Sequence, residues 1–126
     1  MKAYRNMKKD AHLSEEGSIH QFSHERQTLN DIVMKYADTG IKRFFNLDAK
    51  CYEEGALPAK TKELLGLVAS LVLRCDDCVS YHILQCKKAG VSDAELREAL
   101  GIGLLLGGSI TIPHLRRAFK AWDDLK

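Results

Sequence analysis

Apolar positions recur at helical spacing along most of the chain, and no segment keeps the two-residue alternation of a half-buried strand. From about Ile19 to Ala37 the residues Phe22, Leu29, Ile32, Val33 and Tyr36 share one side of a helix that Gly40 closes. A short second helix is expected over 41–52, ending before Gly55, with Phe44, Phe45 and Leu47 as its buried side. Ala59 to Arg74 follows Pro58, and its ten residues Leu64 to Leu73 carry no charge, so burial nearly all round is expected. Asp76 and Asp77 stand in the first turn of the next helix, which runs to Gly90 with Lys87 and Lys88 in its last turn, both ends complementing the dipole. Ser92 and Glu95 form the S-x-x-E pattern of a capping box and open a helix that stops at Gly107-Gly108. A last helix covers about 110–125, with Pro113 tolerated near its first turn. The expectation is an all-α fold of about six helices without an internal repeat, one domain over 19–126 preceded by a loose polar arm over 1–18.

The chain has 126 residues, enough for one core: area laws give ~20,600 Å² unfolded and ~6,800 Å² folded, so about two thirds of the surface is buried without staples. Lys plus Arg number 19 against 17 Asp plus Glu, and the signs are interspersed, which excludes the footprint of a nucleic-acid binder. Ala99 to Leu115 carries no formal charge, but a spanning helix needs about 20 apolar residues and this stretch is broken by glycines, so no membrane partner is expected. No basic leader with an apolar stretch and cleavage site is visible, and the protein reads as cytoplasmic. There, four cysteines are not a structural disulfide frame. Leu64 to Leu73 and Ala99 to Leu115 are more apolar surface than a small domain easily hides. Part of it is expected to meet a second copy, with glycines allowing close approach; a central helix wrapped by the others is the alternative.

Chemistry concentrates in Cys75-Asp-Asp-Cys78-Val-Ser-Tyr-His82. Positions i, i+3 and i+7 share a helix face if the helix starts at or just before Cys75. That start aims free backbone N–H groups at the sulfurs, and an imidazole one turn on can take the thiol proton. At a reference pKa near 8.5 only ~3 % of a thiol is ionised at pH 7, whereas a fall to about 6 makes it ~90 %. Asp76 and Asp77 oppose this as negative neighbours. A thiol pair at this spacing is redox-active or metal-bound more often than inert.

The run K-x-K-E-L-L-G-L-V-A-S from Lys60, then C-D-D-C-V-S-Y-H, then A-G-V-S-D-A-E-L-x-E-A-L and the late Gly-Gly resemble the carboxymuconolactone decarboxylase-like superfamily. Within it the chain is similar to the alkylhydroperoxidase D type, whose signature is a glutamate twelve residues before C-x-x-C and a histidine four after; Glu63, Cys75, Cys78 and His82 fit it. The resemblance covers about Phe44 to Phe119. It implies an all-helical fold, cyclic trimers or hexamers, and thiol peroxidase or disulfide reductase activity without a cofactor. It also implies that Cys78 attacks the peroxide, Cys75 resolves the sulfenic acid into a disulfide, and Glu63 with His82 relays the proton. An unidentified thiol would supply the electrons. The best-known relatives carry a second histidine before the second cysteine, where this chain has Asp77, leaving the relay one histidine fewer. True carboxymuconolactone decarboxylases do without the cysteine pair, which argues against activity on a lactone acid.

Taken without the resemblance, Glu63 is an acid near a helix N-terminus complementing the dipole. In an ideal antiparallel hairpin turning near Cys75 it would lie level with about residue 87, ~7 Å past His82. A steep crossing, a bend near Gly66 or Ser70, or a neighbouring subunit must close that gap. The same Cys75, Cys78, His82 and Glu63 offer S, S, N and O ligands, so a zinc-binding module is the competing reading, and a redox-sensing scaffold a third. Cys51 and Cys86 read as small hydrophobes, His114 as an exposed or capped histidine, and Trp122 with Phe119 as packing or interface residues. His12, His20 and His24 lie in or beside the arm with no paired spacing.

Overall fold

A computed structural model describes residues 18–126. They form α1 (Ile19–Tyr36), α2 (Thr39–Cys51), α3 (Ala59–Val72), α4 (Asp76–Lys88), α5 (Asp93–Gly107) and, after a short 3-10 turn (Ser109–Thr111), α6 (Ile112–Asp124); no strand occurs among the described residues. The arm expected over 1–18 and its His12 lie outside the described residues up to position 17. Ser18 itself belongs to α1, because its side chain caps the helix by accepting the Gln21 N–H. Asp38 does the same for α2 through the Ile41 N–H. Ser92 and Glu95 make the reciprocal capping box of α5, at 3.1 and 2.9 Å.

The core forms where α3 packs against both α4 and α5, and α6 closes over α4. Leu67, Leu71, Val79, Ile83, Leu96 and Leu100 are fully buried there, joined by Ala118, Ala121 and Trp122 of α6. Trp122 is a packing residue whose Nε1–H donates to Asp93 Oδ1 at 2.7 Å. Gly103 is buried at the α3–α5 contact, where a Cβ would come within 2.8 Å of Leu71. Close approach at this glycine therefore occurs inside the chain, not between copies.

Several apolar faces have no cover in the chain, more of them than the near-complete burial expected of Leu64 to Leu73 and the buried side expected of α2 allowed. Only Leu67, Leu71 and the small Ser70 of the uncharged α3 stretch are buried, while Leu65 and Leu73 are exposed. The anticipated buried side of α2 is open to solvent, with Phe44 70 % exposed, and so are Leu29, Ile32, Val33 and Tyr36 of α1. On α5 and the following turn, Ile102, Leu105, Leu106 and Ile110 are exposed as well. The reason is geometric: α3 and α5 present one face to each other, and too few helices remain to cover their outer sides.

The turn between α3 and α4 sets the position of the cysteines. Arg74 adopts φ 58°, the left-handed conformation. It lets the Arg74 N–H reach Leu71 O and the Cys75 N–H reach Ser70 O, at 3.0 and 3.1 Å. This is a Schellman ending of α3, and Cys75 serves at once as its last bonded residue and as the N-cap of α4. The end of α4 uses the same geometry with Gly90 at φ 80°. At position 74 a side chain bears a cost of roughly 1 kcal/mol that glycine avoids. Arg74→Gly is therefore expected to raise stability by about 0.5–1 kcal/mol in a urea melt, with the slope unchanged; an unchanged or lower midpoint would count against strain at this turn.

Candidate active site

The structure brings all four sequence-singled residues to the same end of α4. Cys75 and Cys78 are joined by a disulfide across the first turn, with Cα atoms 5.3 Å apart. Cys75, half-buried at the N-cap, accepts the Cys78 N–H through its sulfur at 3.3 Å. Cys78 is exposed. One turn on, His82 is 7 % exposed and Glu63 8 %. The His82 Nδ1–H donates to Glu63 Oε2 at 2.8 Å. A carboxylate oxygen can only accept, so the bond puts a ring proton on Nδ1, and in the neutral imidazole Nε2 is then the acceptor. Nε2 faces the Tyr52 hydroxyl at 3.4 Å, a long contact made from the C-terminal end of α2.

The Glu63–His82 pair closes within one chain, so the axial gap of the ideal hairpin is not bridged by a neighbour. Gly66 explains how. It lies opposite His82 across the α3–α4 contact, and a Cβ there would sit 2.6 Å from His82 Cε1 and 2.8 Å from both Nε2 and the Tyr52 hydroxyl. With no side chain at 66, the imidazole rests on the α3 backbone, within reach of Glu63 three residues earlier on the same face. Ser70 donates to the Gly66 carbonyl at 2.6 Å and so spends its hydroxyl locally. Glu63 is thus bound to His82 and is not a first-turn acid.

Tyrosines enclose the ring. Tyr81 meets His82 edge-on at 5.2 Å between centroids and Tyr52 lies tilted at 5.3 Å. Burial first, then the charges of Asp48 and Glu63, raise the Tyr52 hydroxyl above its usual range; burial and Glu63 raise Tyr81, partly offset by Arg26. Both therefore stay protonated at neutral pH and can act as hydrogen-bond donors. The Arg26 guanidinium lies 4.0 Å over the Tyr81 ring. In front of these groups, between α1, α2 and α4, opens a cavity of about 440 Å³, lined among others by Phe22, Leu29, Asp48, Cys78, Tyr81 and His82.

Other sequence-flagged residues fall outside this group. Cys86 is fully buried, and burial with the Glu63 charge pushes its thiol up to about 12, so it packs as a hydrophobe. Cys51 is an exposed free thiol, not a buried one. His114 is held by Asp76, Nδ1 to Oδ1 at 2.7 Å, and Arg117 joins the same carboxylate at 3.1 Å, which ties α6 to the start of α4. His20 and His24 are exposed on α1. Among the described residues no group of three or more His, Cys, Asp or Glu converges as a metal's ligands would. Gly66 was named only as a place where α3 could bend, and Tyr52, Tyr81 and Arg26 were not singled out by sequence. A glycine inside a charge-free helix, costing about 1 kcal/mol against alanine, was a usable signal for the first. Tyr52 comes from a separate helix 30 positions away and left none.

The sequence model of the carboxymuconolactone decarboxylase family matches residues 41–121. A Thermotoga maritima protein, seen in two crystal structures, is 53 % identical over 83 % of this chain and 92 % or 89 % of that one, with TM-scores of 0.81 and 0.79. It is described as a carboxymuconolactone decarboxylase family protein with a possible involvement in antioxidative response. An apo protein of that family from Legionella pneumophila shares the fold at 24 % identity and a TM-score of 0.78, over 84 % of this chain and 95 % of that one. An uncharacterized protein of Cupriavidus necator is 32 % identical over 58 % of this chain, which spans 65 % of that protein's length.

Proposed function

The chain belongs to the carboxymuconolactone decarboxylase family, and from that premise we propose that it is a cysteine-based thiol peroxidase or disulfide oxidoreductase of the alkylhydroperoxidase D type. The observation that carries this reading is the Cys75–Cys78 disulfide at the wall of a cavity that also reaches His82, itself held by Glu63. In the oxidative half, the Cys78 thiolate attacks a peroxide oxygen, the O–O bond breaks, and the departing alkoxide or hydroxide takes a proton. Cys78 becomes a sulfenic acid. The Cys75 thiolate then attacks the Cys78 sulfur, hydroxide leaves, and the disulfide forms. In the reductive half, a donor thiolate attacks the exposed Cys78 sulfur and Cys75 leaves as a thiolate; a second donor thiol releases Cys78. The Cys78 N–H on Cys75 Sγ favours that departure, since a better-stabilised thiolate leaves faster. His82, with its proton on Nδ1, offers Nε2 as the base that receives the Cys78 proton.

The likeness to the Thermotoga protein supports an antioxidant role. The disulfide weighs against the zinc-module reading, because both sulfurs are bonded to each other. Among the described residues no helix is long and apolar enough to cross a membrane, and we place the reaction in the cytoplasm, where thiol donors are kept reduced. The deciding experiment reduces the protein and counts thiols and intact mass before and after one equivalent of hydroperoxide, with a metal assay on the same sample. Loss of two thiols and two mass units is expected; unchanged thiols, or stoichiometric zinc on the reduced protein, would overturn the reading.

We also propose a closed trimer or hexamer, supported by the uncovered apolar faces of α1, α2 and α5. Light scattering at micromolar concentration is expected to give a multiple of 14.2 kDa. Leu105→Glu, at a position 81 % exposed in the single chain, should dissociate the assembly without unfolding it, because it buries an unpaired charge only in the interface. A wild-type monomer would rule assembly out.

A further inference from the structure

We propose that the cavity in front of Cys78 selects its small-molecule partner by charge: it accepts neutral or cationic thiols, disulfides and hydroperoxides with an apolar body, and disfavours carboxylates. The inference rests on Cys78 being the sulfur that exchanges with the partner. The cavity's size, about 440 Å³, suits a small organic molecule and not a folded protein. Its lining is divided. Phe22, Leu29 and Tyr81 give it an apolar wall, while Glu25 of α1, Asp48 of α2 and Asp77 of α4 bring three carboxylates from three helices. Arg26 is the lining cation, and its guanidinium is already engaged over the Tyr81 ring at 4.0 Å. Among the described residues, three carboxylates against one guanidinium give the lining a formal charge of −2. A cleft with one prevailing sign and low-dielectric walls concentrates small ions of the opposite sign at its reactive atom.

The substrate consequence concerns both halves of the reaction. An aminothiol or a neutral thiol would approach the Cys78 sulfur more readily than an anionic thiol, and a neutral organic hydroperoxide more readily than one carrying a carboxylate. Asp77 is the residue beside Cys78 in the chain, and Asp48 enters from a different helix. Their contributions can therefore be removed separately.

The test reads selectivity without any peroxide. In Cys75→Ser protein, where the internal disulfide cannot reform, Cys78 is labelled with aminoethyl and with sulfonatoethyl methanethiosulfonate. The thiolate forms a mixed disulfide and methanesulfinate leaves. Because one thiolate meets both reagents, its ionised fraction cancels in the rate ratio. Mass analysis of the Cys78 peptide separates it from Cys51. Compared with the same chain unfolded in urea, the cationic-to-anionic ratio is expected to rise roughly three- to tenfold on folding, for a lining charge of −2 at separations of about a Debye length. It should fall about twofold in each of Asp48→Asn and Asp77→Asn, and shrink in 0.5 M salt, at about 4 Å of screening length. Reduced wild type, compared with iodoacetamide and iodoacetate, should show the same preference for the uncharged reagent, free of the serine substitution. A ratio unchanged by folding would overturn the proposal, and an inverted one would do so by making Arg26 an anion receiver. If peroxide consumption fails while the ratio behaves as expected, the peroxidase reading falls and charge selection at Cys78 stands.

Discussion

Cys78→Ser is expected to lose peroxide consumption altogether, whereas Cys75→Ser consumes one equivalent of hydroperoxide and stops with a sulfenic acid on Cys78. The asymmetry follows from where the turn puts each sulfur. Cys75 caps α4, is half-buried, and its sulfur already accepts the Cys78 N–H, so as a thiolate it is stabilised but sheltered. Cys78 is exposed on the cavity wall, on the helix face that His82 occupies one turn later. Stabilisation alone would nominate Cys75, because its sulfur already accepts a backbone N–H at the helix N-terminus, an environment that favours a thiolate. Access decides otherwise: a peroxide must approach the attacking sulfur in line with its O–O bond, and only Cys78 lines the cavity. Stabilisation of Cys75 then serves the second step, in which it attacks Cys78, and the reverse step, in which it leaves. Dimedone labelling with peptide mass analysis distinguishes the assignments. A trapped sulfenic acid on Cys75 in the Cys78→Ser protein would reverse the roles, and equal loss in both variants with no trapped species would sink the two-cysteine scheme.

The helices were legible because their ends are written in local chemistry. Ser92 with Glu95, the acids at 76 and 77, and Gly90 each act within one turn of their own position, whereas the Asp38 cap of α2 was not read and Gly40, expected to close α1, lies inside α2. Arg74 escaped notice since a left-handed arginine has no sequence signature; its conformation is imposed by the two hydrogen bonds that end α3. Spacing on α4 put Cys75, Cys78 and His82 on one face, but spacing alone set Glu63 too far away. The missing information was a contact between helices, the seat that Gly66 leaves for the imidazole. Tyr52, Asp48 and Arg26 reach the site by tertiary placement of α1 and α2, which no periodicity within those helices encodes. The uncharged runs announced apolar surface without saying which side the chain itself would cover, since amphipathic periodicity is blurred when both sides are apolar.

Gly66→Ala should disable the proton relay at a smaller cost in stability than its effect on the site suggests, and the same substitution should become stabilising once His82 is gone. In the wild type a methyl at 66 would meet His82 Cε1 at 2.6 Å and both Nε2 and the Tyr52 hydroxyl at 2.8 Å, closer than non-bonded atoms approach. The ring must leave its seat, and the 2.8 Å bond to Glu63 goes with it. Overpacking of this kind costs about 1–3 kcal/mol. Against that, alanine gains about 0.8–1 kcal/mol over glycine inside a helix. Gly66→Ala alone is therefore expected to destabilise by roughly 0–2 kcal/mol. In the His82→Ala background the two ring atoms among the three nearest neighbours are gone, and the third, the Tyr52 hydroxyl, is the tip of a side chain that can give way, so Gly66→Ala should gain about 1 kcal/mol. The double-mutant cycle thus predicts a coupling of about 1–3 kcal/mol, readable in urea melts. The functional readout is iodoacetamide alkylation of Cys78 in the reduced proteins against pH. With the imidazole in place as base, the wild-type midpoint should lie below the free-thiol value near 8.5; both Gly66→Ala and His82→Ala should move it up towards that value. If Gly66→Ala stabilises equally in both backgrounds and leaves the alkylation curve on the wild type, the imidazole does not rest on Gly66. The relay then has to be sought from another group on the cavity wall, with Tyr81 the nearest candidate by its edge contact to the ring.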